Sequence, residues 1–222
     1  MHDSIRGITG SFERVVEAIK LTKELGFKVL IKTVAQRDNL GQLYDLFRLV
    51  SELGVDGWSV NRAIPSGRAK ANFQRVYVSF EEFNRAVQPI REFARRAIGI
   101  LSISLEDYPR PFEEVPLTGD YAICPAGTTS IHISPDGSVK PCSYFPDSYI
   151  CGNVRMKPLI DIWNNSPILK TMRRLRRSDL LEPCRTCKLP CNGRCRGAAA
   201  SFYGDVRAPD PLCPRVEPLL GV

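Results

Sequence analysis

The chain has 222 residues, 31 Lys and Arg against 24 Asp and Glu, and a formal charge of +7. No apolar stretch approaches the roughly 20 residues that span a bilayer, and Met1-His2-Asp3-Ser4 is too polar for an export signal, so a cytoplasmic protein without a membrane partner is expected. The positive charge invites nucleic acid, but no RNA-binding aromatic motif accompanies the basic run at Arg173, Arg174, Arg176 and Arg177, which reads better as a solvated helix face.

Residues 11–105 alternate helix and strand. Ser11 is the expected N-cap of a helix whose apolar face is Phe12, Val15, Val16 and Ile19, ended by Gly26. Residues 28–34 form an apolar strand. Leu40, Leu43, Leu46, Phe47, Val50 and Leu53 make a second helical stripe, closed by Gly54, and residues 58–62 a second strand. Ser79 and Glu82 are a capping box for a third helix along Phe80, Phe83, Val87, Ile90, Phe93 and Ala97. Residues 98–105 give a third strand. Helix and strand repeated three times predict an α/β unit with a parallel sheet. Three strands opening on a helix leave one sheet edge uncovered. Helices on one face only leave the other bare unless the sheet curls towards a barrel.

The second half is dominated by cysteine. The array runs Cys124, Cys142, Cys184, Cys187, Cys191, Cys195 and Cys213, with Cys151 as an eighth, and the first 123 residues contain none. Four thiols between Cys184 and Cys195, spaced x2, x3 and x3, let a turn aim several sulfurs at one metal centre. Residues 131–139 alternate around Pro135-Asp136-Gly137 and predict a β-hairpin, with Cys124 before its first strand and Cys142 after its second. Gly152-Asn153-Val154 marks a turn. Leu159, Ile162, Trp163, Leu169, Met172 and Leu175 follow at helical spacing, from Pro158 to a stop at Pro183. Three chemistries suit the cysteines: iron–sulfur clusters, structural zinc, or disulfides, the last disfavoured in a reducing compartment. Eight cysteines and two histidines match a thiolate-rich cluster count.

The segment from Ile123 to Pro214 resembles the SPASM domain, the C-terminal extension of many radical S-adenosylmethionine enzymes. The resemblance is carried by Cys124-Pro125-Ala126-Gly127, the run Ile133 to Cys142, Gly152-Asn153-Val154, Ile162-Trp163, Cys184-Arg185-Thr186-Cys187, Cys191-Asn192-Gly193-Arg194-Cys195-Arg196-Gly197 and Asp210-Pro211-Leu212-Cys213. It implies two auxiliary [4Fe–4S] clusters. Cys124, Cys142 and Cys195 correspond to ligands of the first, and Cys184, Cys187, Cys191 and Cys213 to ligands of the second. The first set leaves a fourth position open or filled by another group. Cys151 is a candidate for it, although an inert thiol in the turn is the plainer reading. One departure is the spacer Lys188-Leu189-Pro190, three residues where the family usually has five. Two clusters of charge about −2 would bring +7 to roughly +3, and Arg185, Lys188, Arg194 and Arg196, lying among the ligands, would offset them.

His2-Asp3-x2-Arg6-Gly7-x2-Gly10-Ser11-Phe12 resembles the middle of the radical S-adenosylmethionine core, a partial TIM-like barrel of six strands and six helices. The resemblance implies that residues 1–108 are the second half of that barrel, 109–120 a linker, and 121–222 a small cysteine-rich α+β domain. The Cys-x3-Cys-x2-Cys loop of the catalytic cluster is not in the chain, so S-adenosylmethionine is expected only if the missing N-terminal half is supplied, and the chain is expected to be part of a longer or split enzyme. In such barrels sites lie at the C-terminal ends of strands, here residues 34–39, 61–67 and 106–108. Asn61, Arg62, Ser66, Gly67 and Arg68 are therefore candidate cofactor or substrate contacts. The parent would generate a 5′-deoxyadenosyl radical and act on a peptide, protein or tetrapyrrole-type substrate. The alternatives are a stand-alone iron–sulfur electron-transfer module working with a partner donor, and a zinc-stabilised interaction domain.

Overall fold

A computed structural model describes residues 1–96, 101–105, 124–188, 191 and 193–220. The expected positions 97–100, 106–123, Leu189, Pro190 and Asn192 lie outside the described residues. The chain divides into two compact units, Met1–Ala63 with Arg75–Tyr108, and Ile64–Gln74 with Pro109–Val222.

From the N-terminus the elements are α1 (His2–Arg6), α2 (Ser11–Glu24), β1 (Leu30–Ala35), a 3-10 turn over Arg37–Gln42, α3 (Leu43–Glu52), β2 (Gly57–Arg62), α4 (Arg68–Ala71), α5 (Phe73–Val76), α6 (Phe80–Arg96) and β3 (Ser102–Leu105). Ser11 is not the N-cap of α2. Gly10 takes that position with φ 75°, and the Asp3 carboxylate accepts from the Gly10 amide (2.6 Å), the Ser11 hydroxyl (2.8 Å) and the Phe12 amide (2.8 Å). A carboxylate at a helix N-terminus satisfies orphan donors and meets the positive end of the dipole. The expected capping box on α6 is present: Ser79 N donates to Glu82 Oε2 (2.8 Å) and Glu82 N to Ser79 Oγ (3.2 Å).

The three strands pair in parallel in the order β1-β2-β3, Leu30 opposite Gly57 through Ala35 opposite Arg62, and Gly57 opposite Ser102 through Val60 opposite Leu105. Period-2 alternation sorts the faces. Trp58 and Val60 join Leu43, Phe47, Val50, Phe83, Val87 and Ile90 in the core against α3 and α6. The opposite face carries Lys32, Ser59, Asn61, Ser102 and Ser104. The stripe expected to bury α2 does so only in part: Ile19 is buried, while Phe12 and Val15 are exposed, as are Leu30 and Val34 of β1. Leu30 and Val34 share the face of Lys32, away from α3 and α6, and the outer stripe of α2 meets no core neighbour among the described residues.

The second unit contains β4 (His132–Ile133), β5 (Ser138–Lys140), β6 (Gly152–Asn153), α7 (Leu159–Asn165), α8 (Pro167–Arg174) and α9 (Arg196–Tyr203). β4 and β5 form the expected antiparallel hairpin, turning at Gly137 with φ 86°, a conformation glycine adopts without strain. Residues 152–153, expected as a turn, pair with β5 as a third strand. The single helix expected over Leu159–Leu175 is two, because Ser166 caps α8 and Pro167 occupies its first turn, where a missing amide is harmless. Ala126, Phe145, Met172, Leu175, Leu180, Ala200 and Val206 form the core, with Cys124, Cys142 and Cys184 packed against it. Residues 64–74 belong to this unit: Ser66 Oγ donates to the Tyr144 carbonyl (2.9 Å), Lys70 to the Ser201 carbonyl, and Phe73 meets Phe202 edge-on with centroids 5.0 Å apart.

Candidate metal centre

The hairpin delivers two thiols and α9 a third. Cys124 precedes β4, Cys142 follows β5, and Cys195 caps α9, its sulfur accepting from the Ala198 amide at 3.3 Å. Burial pushes the Cys195 thiol up to about 12, with the Asp210 carboxylate and then the Cys124 and Cys142 sulfurs adding to it. Burial likewise raises Cys142, helped by Cys124. These three sulfurs thus stand within electrostatic reach of one another. Tyr144 belongs to the same neighbourhood, its phenol raised by burial and then by Cys195 and Cys142.

A second neighbourhood gathers around the turn at Cys184. Burial pushes that thiol up to about 11; Arg196 opposes the rise, and Cys213, Cys191 and Cys187 reinforce it. Arg215 donates to the Cys187 sulfur at 3.5 Å. Asp210 links the two neighbourhoods. Nearly fully buried, it accepts from the Cys195 amide (3.1 Å) and the Leu212 amide (2.9 Å), beside Arg194 at 3.6 Å. One carboxylate therefore ties the start of α9 to the segment carrying Cys213.

Cys151 stands apart. Its sulfur donates to the Tyr149 carbonyl at 3.5 Å, and its thiol is raised by burial while Ser166 and Arg173 act the other way. All eight cysteines are free thiols. Among the described residues no three His, Cys, Asp or Glu side chains close to metal-holding distance, so the sulfurs are grouped but not in coordination contact.

The donor chemistry nonetheless fits thiolate-bound iron. The two neighbourhoods supply three and four sulfurs. Gly197 lets α9 approach the segment carrying Cys142: a Cβ there would lie 2.9 Å from Tyr144 Cβ and 3.2 Å from the Cys142 sulfur. Buried thiols with raised pKa remain protonated until a cation displaces the proton, and metal binding does so.

The other sequence-chosen residues are dispersed. Asn61 is exposed at the end of β2, whereas Arg62 is buried, donating to the Val78 carbonyl at 3.4 Å with its guanidinium 5.5 Å from the Phe80 ring. Ser66 and Gly67 lie in the segment packed on the cysteine-rich unit, Gly67 capping α4. The basic run is not uniformly solvated: Arg173 lies 4.3 Å over the Trp163 ring and donates to the Gly127 carbonyl at 3.0 Å. Sequence reasoning did not single out Tyr144, because a tyrosine two residues beyond a cysteine carries no pattern of its own.

Residues 124–188 match the SPASM family, described as an iron–sulfur cluster-binding domain. The chain is 30% identical to the AdoMet-dependent heme synthase of Nitratidesulfovibrio vulgaris, with 96% of this chain and 60% of that protein covered. It is also 30% identical to the PqqA peptide cyclase of Gluconobacter oxydans, over 95% of this chain and 58% of that one. Residues 124–188 thus carry the likeness to an iron–sulfur cluster-binding domain, and almost the whole chain is similar to part of each of these relatives. Among solved structures, Streptococcus suis SuiB shares its fold. The form bound to S-adenosylmethionine gives a TM-score of 0.65 at 20% identity, covering 90% of this chain and 48% of SuiB. The form bound to precursor peptide SuiA gives 0.63 at 19% identity, covering 89% and 47%. The chain therefore spans about 60% of the curated relatives' length. Among the described residues no helix is long and apolar enough to cross a membrane.

Proposed function

We propose that this chain is the C-terminal portion of a radical S-adenosylmethionine/SPASM enzyme and holds two auxiliary [4Fe–4S] clusters. Cys124, Cys142 and Cys195 would bind the first, and Cys184, Cys187, Cys191 and Cys213 the second. The observation that carries this is the grouping of seven cysteines into neighbourhoods of three and four, with Cys151 outside both. Bound clusters supply one-electron transfer, and an iron lacking a fourth sulfur can also bind substrate. The protein's own part is to bury the sulfurs, orient them through the Asp210 and Ala198 contacts, and limit water.

The first unit reads as part of a barrel wall. Its sheet is packed by helices on one face and carries Lys32, Ser59, Asn61 and Ser104 on the other, as a wall facing an interior would. S-adenosylmethionine would then bind only with the cysteine-bearing half that the first 123 residues do not supply. The relatives include a heme synthase and a peptide cyclase, which favours a peptide or tetrapyrrole-type substrate.

Anaerobic reconstitution followed by iron, sulfide and zinc analysis tests the proposal. About eight iron and eight sulfide per chain are expected, falling to about four in Cys195→Ser and in Cys213→Ser and unchanged in Cys151→Ala. Stoichiometric zinc without sulfide would sink it in favour of a zinc-stabilised module.

A further inference from the structure

The last two cysteines of the array stand on separate stretches of backbone, and one buried side chain holds both stretches. In Asp210-Pro211-Leu212-Cys213 the Asp210 carbonyl accepts from the Cys213 amide (3.0 Å), and Asp210 Oδ1 accepts from the Leu212 amide (2.9 Å). That is a β-turn with an Asx turn inside it, and Pro211 presets its second residue. The turn fixes where the Cys213 backbone stands. The other oxygen, Oδ2, reaches back fifteen residues and accepts from the Cys195 amide (3.1 Å) at the N-cap of α9. Arg194 closes the arrangement. Its guanidinium stands 3.6 Å from Oδ2 and donates to the Leu212 carbonyl at 3.1 Å. Arg194 does so from the left-handed region, φ 58°, where a residue with a side chain stays only if its surroundings hold it. Asp210 is buried, so water competes little for either of its oxygens.

We infer that Asp210, clasped by Arg194, is a positioning residue shared by both proposed cluster sites. One carboxylate oxygen sets Cys195 of the three-cysteine site, and the other sets the turn that presents Cys213 to the four-cysteine site. This rests on the cluster reading above. A ligand serves one site, so its loss empties one. Loss of a shared support reaches both. The two oxygens also make the two dependences separable. Asparagine suits the local Asx turn as well as aspartate does and keeps the Leu212 tie. Its NH2 group then faces the Cys195 amide, donor against donor, and that tie is lost.

The test reconstitutes the full chain as wild type, Asp210→Ala, Asp210→Asn, Cys195→Ser and Cys213→Ser, with iron and sulfide analysis and EPR of the reduced protein. Asp210→Ala is expected to fall from about eight iron per chain to fewer than about four, below either cysteine variant. Asp210→Asn is expected to keep about four, with the EPR spectrum that Cys195→Ser shows. General unfolding would not select one site, so the Asn result separates positioning from loss of structure. An Ala variant that holds as much iron as either cysteine variant, or more, overturns the inference. So does an Asn variant that loads about eight iron, loses both sites, or shows the spectrum of Cys213→Ser. Wild-type protein that takes up zinc and no sulfide sinks the cluster reading itself, a distinguishable result.

Discussion

Gly197 packs closely against a residue of the proposed metal site, and Gly197→Ala separates two opposing forces. Gly197 is the second residue of α9 with ordinary helical backbone, so alanine carries no conformational penalty there and gains at most about 0.8–1 kcal/mol of helix propensity, the helix-interior value. Against this, the new Cβ would stand 2.9 Å from Tyr144 Cβ, 3.2 Å from the Cys142 sulfur and 3.3 Å from Phe145 Cδ2. Ordinary carbon contacts begin near 3.5 Å, so Tyr144 Cβ must retreat by roughly 0.6 Å. It is not a flexible tip. It is fixed to a backbone whose carbonyl receives Ser66 and which lies between Cys142 and Phe145, itself fully buried. Overpacking of this kind costs about 1–3 kcal/mol.

The net expectation is a loss of about 0–2 kcal/mol, with the displacement shared by Tyr144 and Cys142. Urea unfolding of wild type and variant before reconstitution reads the first quantity, and iron per chain afterwards reads the second. Iron should fall towards about four per chain as the three-cysteine site fails to assemble while the four-cysteine site survives. A variant about 1 kcal/mol more stable than wild type and fully loaded would refute the reasoning, because the helix would have absorbed the methyl without moving Cys142.

Phe145→Ala removes a buried ring beside that cysteine, edge-on to Tyr149 at 5.1 Å, and is expected to destabilise the cysteine-rich unit by about 3–5 kcal/mol in chemical unfolding. Arg215→Ala is expected to leave the iron content of the reconstituted protein unchanged, because Arg215 reaches Cys187 from an exposed position where solvent screens its charge; iron analysis checks this. Asp3 is held well below its ordinary value of 3.8 by the Ser11 hydroxyl, the Phe12 amide and the Gly10 amide. A depressed carboxyl pKa means the native state binds the proton less readily than the unfolded one. Its contribution is therefore complete above the unfolded value and lost as pH falls through the folded one. Protection of the Gly10 and Phe12 amides, relative to their intrinsic exchange rates, should persist below the ordinary carboxylate range in wild type and be lower in Asp3→Asn.

Local chemistry was legible wherever it depended on residues close in sequence. The Ser79–Glu82 box, the turn at Gly137 and the first two strands appear close to where they were expected, and the third is seen over Ser102–Leu105. The break at Ser166-Pro167 was also present in the letters, as an N-cap followed by proline, but the apolar period running through it concealed it. The cap on α2 was not legible, because Asp3 reaches its donors across seven to nine residues and a short helix. Nor was the exposure of Phe12 and Val15, since periodicity names a face without saying what meets it. Helix α9 sits between these cases: Ala198-Ala199-Ala200 has the highest helix propensity and Gly204 closes it in the left-handed conformation, but neighbouring cysteines drew the eye to metal.

That last helix bears on why the array is built as it is. Cys195 stands at its N-terminus, where backbone amides point outward and negative charge is favoured. The Ala198 amide already donates to its sulfur, which supports thiolate once a metal draws the proton away. Asp210 works in the opposite direction, raising the same thiol while holding the Cys195 and Leu212 amides. The carboxylate ties Cys195 to the segment that carries Cys213, and the helix terminus and a bound cation would together have to outweigh its repulsion. Asp210→Asn tests that balance. It keeps the volume and an oxygen acceptor while removing the charge, so a lower thiol pKa at Cys195 is expected, read as faster alkylation of that residue in the metal-free protein. Unchanged alkylation would mean that burial alone sets the Cys195 thiol, leaving Asp210 with a structural role.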